Sequence, residues 1–281
     1  MLNRFFPYPL SDTNRTALVI YVAVFFLLTV IPAEIFTISH GLSGYLPLHS
    51  CMEMFAIIVS VLTFIIEWEN KSEKKYVNTL IVAVAFLAVA ILDFFHLLSY
   101  PGMPAFVSPS SGDKSIYFWL NARFIVSLSL LYISISTPKI LQDKKIKLHI
   151  LVLFVSISGL IAWLGLNHLE LFPQNFVEGV GPTPFKKMAE VAIIVILFFA
   201  FLLISRNATT LKKSYDIENI IMAIAMMILS ELFFIVFTKH TDLYNFSGHI
   251  YKVISYCVQS HCFGPGKSHL IGPPKTEFYL G

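Results

Sequence analysis

The sequence predicts an all-α fold: a polytopic transmembrane helical bundle of about seven to eight spans, with its N-terminus in the cytoplasm. Three observations predict it. Hydrophobic residues make up 56% of the chain and charged residues only 13%, with a mean hydropathy of +0.74; a soluble domain carries about twice that share of charge. Apolar runs recur at about the 20-residue length that crosses a bilayer as helix. Lys and Arg are dense in every second connecting loop and sparse in the others.

The runs lie near 16–39, 48–67, 79–99, 116–137, 148–166, 186–205 and 218–239, and a last one opens at 249. The first is too long for a cleavable signal, and no small-residue cleavage site follows it. The third must stop near Ser99, because "SYPGMPAFVSPSSGDKS" (99–115) is dense in Pro, Gly and Ser. Thr183 followed by Pro184, an N-cap and first-turn proline pair, starts the sixth. The last begins as "HIYKVISYCV" and gives way to "QSHCFGPGKSHLIGPPKTEFYLG", which is rich in Gly and Pro and lacks helical periodicity. The expectation is a membrane domain over 1–258 and an aberrant, disordered tail over 259–281, left by a disrupted reading frame. Cys51, Cys257 and Cys262 show neither metal nor disulfide spacing.

Orientation follows from the loops. One set holds Arg4 and Arg15, then Lys71, Lys74 and Lys75, then Lys139, Lys144, Lys145 and Lys147, then Arg206, Lys212 and Lys213. The alternate set holds only Lys114, Lys186, Lys187 and Lys239. Twelve against four puts the N-terminus inside by the positive-inside rule.

Ionisable residues inside membrane helices are costly and mark function. Here they gather at one depth. His49 and Glu53 open the second helix, Asp93 and His96 close the third, and Arg123 lies two turns into the fourth. Lys187 and Glu190 open the sixth, Glu231 sits in the outer half of the seventh, and His249 and Lys252 open the eighth. Glu34 ends the first. At 1.5 Å per residue, these groups fall within roughly 12 Å of the outer boundary. Spacings of three or four residues put each pair on one helix face. The pattern predicts a polar chamber open to the outside, with Asp93 and Arg123 as its leading ion pair.

Five acids (Glu34, Glu53, Asp93, Glu190, Glu231) and three cations (Arg123, Lys187, Lys252) leave a negative balance. His49, His96 and His249, helped by the carboxylates, are candidate ligands for a transition metal ion. The alternative is that the same groups lock helices together through ion pairs. Glu67 and Glu69 read as solvated at the inner boundary, Trp68 and Trp119 as interfacial anchors, and Leu80 as lipid-facing. No P-loop, dinucleotide-binding glycine pattern or zincin motif is present, and nothing in the sequence points to catalysis.

The segments "LHSCMEMF" (48–55), "DFFHLLSYPGMP" (93–104), "FWLNAR" (118–123), "FVEGVGPTPFKKMAE" (176–190), "SELFF" (230–234) and "GHIYK" (248–252) carry a family likeness. With them the chain resembles the third type of bacterial membrane-associated sensor domain. That resemblance implies the N-terminal sensory module of a GGDEF diguanylate cyclase or a histidine kinase. It also implies a cytoplasmic effector in full-length relatives and a place in the bacterial inner membrane. The residues themselves, rather than the resemblance, point to a small ligand or metal ion bound from the periplasm by His49, Glu53, Asp93, His96, Arg123, Lys187, Glu190, Glu231, His249 and Lys252, with the signal passed inward. The module's partners would be the bilayer, that ligand, the effector and a second copy of the chain, and not nucleic acid. The rivals are a proton-coupled transporter, built on an Asp, Glu and His relay, and a haem- or metal-binding membrane protein.

Overall fold

In a computed structural model, residues 10–32, 42–70, 76–212 and 215–263 are described. Eight α-helices run through them: α1 (Asp12–Val30), α2 (Leu42–Glu69), α3 (Val77–Leu98), α4 (Gly112–Ile135), α5 (Lys144–Asn167), α6 (Pro184–Leu211), α7 (Ile217–Val236) and α8 (Leu243–Ser260). The first seven are long and apolar enough to cross a bilayer. The fold is all-α, as the composition requires. The shorter, more polar α8 completes the bundle.

Helix starts follow local sequence. Ser11, Ser111, Asp143, Thr183, Asp216 and Asp242 each accept a backbone N–H from the first turn of the helix they precede, which satisfies donors no helix can satisfy itself. Pro184 occupies the first turn of α6 after Thr183, as the sequence predicts. Ser99 caps the end of α3, and its carbonyl accepts from Ser111 N, so the loop returns the chain directly into α4. The other long loop forms a 3-10 turn, Leu169–Leu171, and a two-stranded antiparallel hairpin, Phe176–Val177 with Gly181–Pro182.

α3, α4 and α7 form the buried centre, while α1 and α5 lie at the periphery. There Leu27, Val152 and Trp163 are exposed, as side chains facing lipid would be. α8 packs on α7 and α2. Its approach to α7 is close enough to need glycine: a Cβ at Gly248 would stand 2.6 Å from Cζ of Phe234. Ser230 Oγ donates to the Gly248 carbonyl at 2.8 Å across the same contact. α8 then continues through Ser260 into a 3-10 turn, His261–Phe263. The Cys262 carbonyl accepts from Asp216 N at the start of α7. Residues 264–281, most of the expected tail, lie outside the described residues, as does Glu34.

Opposite the predicted chamber, a second polar layer ties helices together. Asn78 Nδ2 donates to Ser136 Oγ, Asn78 Oδ1 accepts from Lys139 N, and Asn207 Nδ2 donates to the Ser134 carbonyl. Glu67 belongs to this layer. It is buried and accepts from Thr79 Oγ1 at 2.7 Å, so the solvated placement expected for it is wrong. Leu80 is 4% exposed, a core residue rather than a lipid-facing one.

Candidate functional site

Helices of alternating direction bring their polar ends to the same end of the bundle. The N-terminal halves of α2, α4, α6 and α8 meet the C-terminal halves of α3 and α7 there. His49, Glu53, Asp93, His96, Arg123, Glu190, Glu231, His249 and Lys252 are all at most 4% exposed. Charge taken that far from water survives only when paired.

The pairing is centred on α8. Lys252 Nζ lies 2.7 Å from Glu53 Oε2 on α2 and 3.0 Å from Asp93 Oδ2 on α3. His249 Nδ1 stands 2.9 Å from the other Glu53 oxygen. Arg123 meets the Tyr256 hydroxyl, which reaches Asp93 Oδ2 at 3.5 Å. Arg123 also lies 3.8 Å from Glu231. Asp93 therefore pairs with Lys252 and not with Arg123, and Tyr256 stands between the two predicted partners. The reason is geometric: Lys252 reaches Asp93 directly, while the guanidinium lies nearer Tyr256 and Glu231.

Lys187 needs a second correction. Its side chain is exposed. Lys186 is the buried one, 2.6 Å from Glu190 and donating to the Phe234 carbonyl. Spacing i, i+4 from Glu190 places it on the inward face, while Lys187 turns outward. Trp119 is a third. It is 3% exposed, no interfacial anchor, and its ring carries two cations, with Arg123 4.7 Å and Lys252 4.6 Å from the centroid. Such contacts stabilise cations where water is excluded. Trp119, Tyr256 and Lys186 all escaped the sequence reading. The i, i+4 spacings of Trp119 with Arg123, and of Lys252 with Tyr256, were the available signal.

The histidines form one group. His49 stacks on Tyr100 with ring centroids 3.7 Å apart, and lies 4.7 Å from His249 and 5.4 Å from His96. His96 Nδ1 is engaged by the carbonyl and hydroxyl of Ser115. Neither ring nitrogen of His49 has a hydrogen-bond partner among the described residues. One ring nitrogen from His49, one from His249 and one oxygen of Glu53 all lie within 4.8 Å of one another. His96 is not part of that set.

The open chamber expected from the sequence is instead a tightly packed network beside a small cavity of about 20 Å³, room for about one water. His96, Tyr100, Trp119, Glu190, His240 and His249 are among its walls. His240, on the loop between α7 and α8, packs over Gly112 and against the Phe176 ring, whose centroid is 4.3 Å away. Burial pushes the His240 imidazole down to about 4 and the Tyr100 phenol well above its ordinary value, since both charged forms would lose hydration.

Among the described residues, four carboxylates (Glu53, Asp93, Glu190, Glu231) and three basic side chains (Arg123, Lys186, Lys252) make up this network.

A family model described as a membrane-associated sensor domain, MASE3, matches residues 40–261. The match takes in every helix from α2 to α8. No curated protein and no solved structure matches the chain.

Proposed function

The chain belongs to the MASE3 family of membrane-associated sensor domains, and from that premise we propose that its buried polar network is the sensing element and α8 the element that reports its state. A multi-pass membrane sensory input module needs a part that changes when a stimulus arrives and a part that carries the change to the far side. In this reading a small ligand or ion enters from the periplasmic side. It redistributes the pairs among Glu53, Asp93, Arg123, Glu231, His249 and Lys252. The helices whose charges lose their partners repack, and the cytoplasmic ends hand the shift to an effector.

The observation that carries this reading is that α8 is held by charge. His249, Lys252 and Tyr256 project from three successive turns of α8 and meet Glu53 on α2, Asp93 on α3 and Arg123 on α4. A ligand that changes any of these partners changes what holds α8. Against a transport pathway stands α3 itself. Every buried residue between Thr79 and Asp93 is apolar, from Leu80 through Phe86 to Leu92. A relay requires polar groups continuing across the bilayer, and on α3 an apolar stretch separates the two polar layers.

Cys262 tests the relay, because it is 1% exposed at the far end of α8. In the purified protein with Cys51 and Cys257 replaced by Ser, Lys252→Met should raise the alkylation rate of Cys262 at least about tenfold. Ile58→Val, on a lipid-facing position of α2, should leave it unchanged. Equal rates in a Lys252→Met protein of wild-type helicity would refute α8 as the reporter.

A further inference from the structure

The two histidines and the carboxylate at the top of α2 and α8 have the chemistry of a metal site. We propose that His49, Glu53 and His249 bind a divalent transition-metal ion, and that the ion competes with Lys252 for Glu53. This rests on the sensing role given to the network above and names the ligand class that the network reads.

Three observations lead there. One ring nitrogen of each histidine and one Glu53 oxygen already lie within 4.8 Å of one another. A metal with ligand bonds of about 2.0–2.2 Å holds its ligand atoms about 3–3.5 Å apart, so binding would draw the widest pair together by about 1 Å or more. His49 is fully buried with both ring nitrogens unpartnered among the described residues. A buried imidazole with neither nitrogen engaged is costly, and a bound ion would remove that cost. The donor set, two imidazoles and one carboxylate, suits Zn²⁺, Fe²⁺ or Cu²⁺ better than Mg²⁺ or Ca²⁺, which favour all-oxygen shells.

The site carries its own competitor. Glu53 Oε2 holds the Lys252 ammonium at 2.7 Å while Oε1 lies against His249. A dication bound through Oε1 repels that ammonium. Lys252 has a second partner, Asp93 Oδ2 at 3.0 Å, and it shifts toward it without losing its charge. Ligand binding then exchanges one tie of α8 for another: the ion bridges α2 to α8 through His249, while Lys252 turns from Glu53 on α2 to Asp93 on α3. The small cavity that His249 and Tyr100 help to line lies beside the site.

The test uses the purified, chelator-treated protein with Cys51 and Cys257 replaced by Ser, and Co²⁺ and Zn²⁺ as probes. The expected result is one Co²⁺ per chain with a visible ligand-field spectrum, displaced by Zn²⁺. Affinity should fall at least about 100-fold in His49→Ala and in Glu53→Gln, and stay unchanged in His168→Ala. Zn²⁺ should also change the Cys262 alkylation rate in the protein with the intact site, and leave it unchanged in His49→Ala. Failure to bind one equivalent, or equal binding by His49→Ala, overturns the metal site. The effect of Lys252→Met on Cys262, measured without metal, reports separately on the sensing role, so either idea can fail alone.

Discussion

Lys252 Nζ lies 2.7 Å from Glu53 Oε2, across 199 residues of chain and between two helices, with neither side chain more than 1% exposed. In such a place the pair is expensive to break and cheap to replace as a unit. Lys252→Met alone should cost about 3–5 kcal/mol, because Glu53 and Asp93 keep their buried charges. Glu53→Gln with Lys252→Met should cost clearly less than the two separate losses added together. Reversible unfolding in mixed micelles reads both. Additive losses would mean the pair is not coupled.

Gly248 and Gly159 make a matched comparison. A Cβ at Gly248 meets the Phe234 ring, while one at Gly159 meets nothing within 4 Å. Gly248→Ala should lose about 1–3 kcal/mol through overpacking of α7 against α8. Gly159→Ala should be neutral or gain up to about 1 kcal/mol from the helix backbone. Equal effects in the same unfolding assay would remove close packing as the reason for glycine at 248.

His240 sets an acid dependence. Its imidazole is pushed from an ordinary 6.5 down to about 4 by burial. A depressed histidine contributes its full stability above pH 6.5 and loses it as pH falls toward 4, because the unfolded chain takes up the proton first. Wild-type stability should therefore drop over that window by about 2–3 kcal/mol more than that of His240→Gln. Parallel pH profiles for the two proteins would contradict this.

Topology is open to a direct check. With twelve Lys and Arg in one set of loops and four in the other, a cytoplasm-active reporter fused after Lys145 should be active and one fused at Ser111 inactive. The opposite pattern would put the polar network at the cytoplasmic face and end the periplasmic entry.

Much of this molecule is legible in its sequence because lipid imposes harsh rules. Apolar length marks the spans, and Ser99, Thr183 and Pro184 mark helix ends, since unsatisfied backbone groups leave few choices there. The common depth of His49, Glu53, Asp93, His96, Arg123, Glu231, His249 and Lys252 is also readable, because rise per residue converts position into height. Which group faces which is not. Two lysines in a row, Lys186 and Lys187, differ by about 100° around α6, so one side of the helix decides which is buried. The pairing of Asp93 depends on how Lys252 and Tyr256 enter from α8, 159 and 163 residues later. Trp119 looked like a boundary residue because its role as a platform for Arg123 and Lys252 exists only after α4 and α8 meet.

Hydrogen exchange along α8 tests most directly the claim that the buried charges hold this helix. Amides of residues 253–262 are compared in the wild-type protein and in Glu53→Gln, with α5, which carries none of the network residues, as the internal reference. The account predicts faster exchange over 253–262 in Glu53→Gln and unchanged exchange in α5. Exchange in α8 that matches the wild type, or that rises equally in α5, would contradict it.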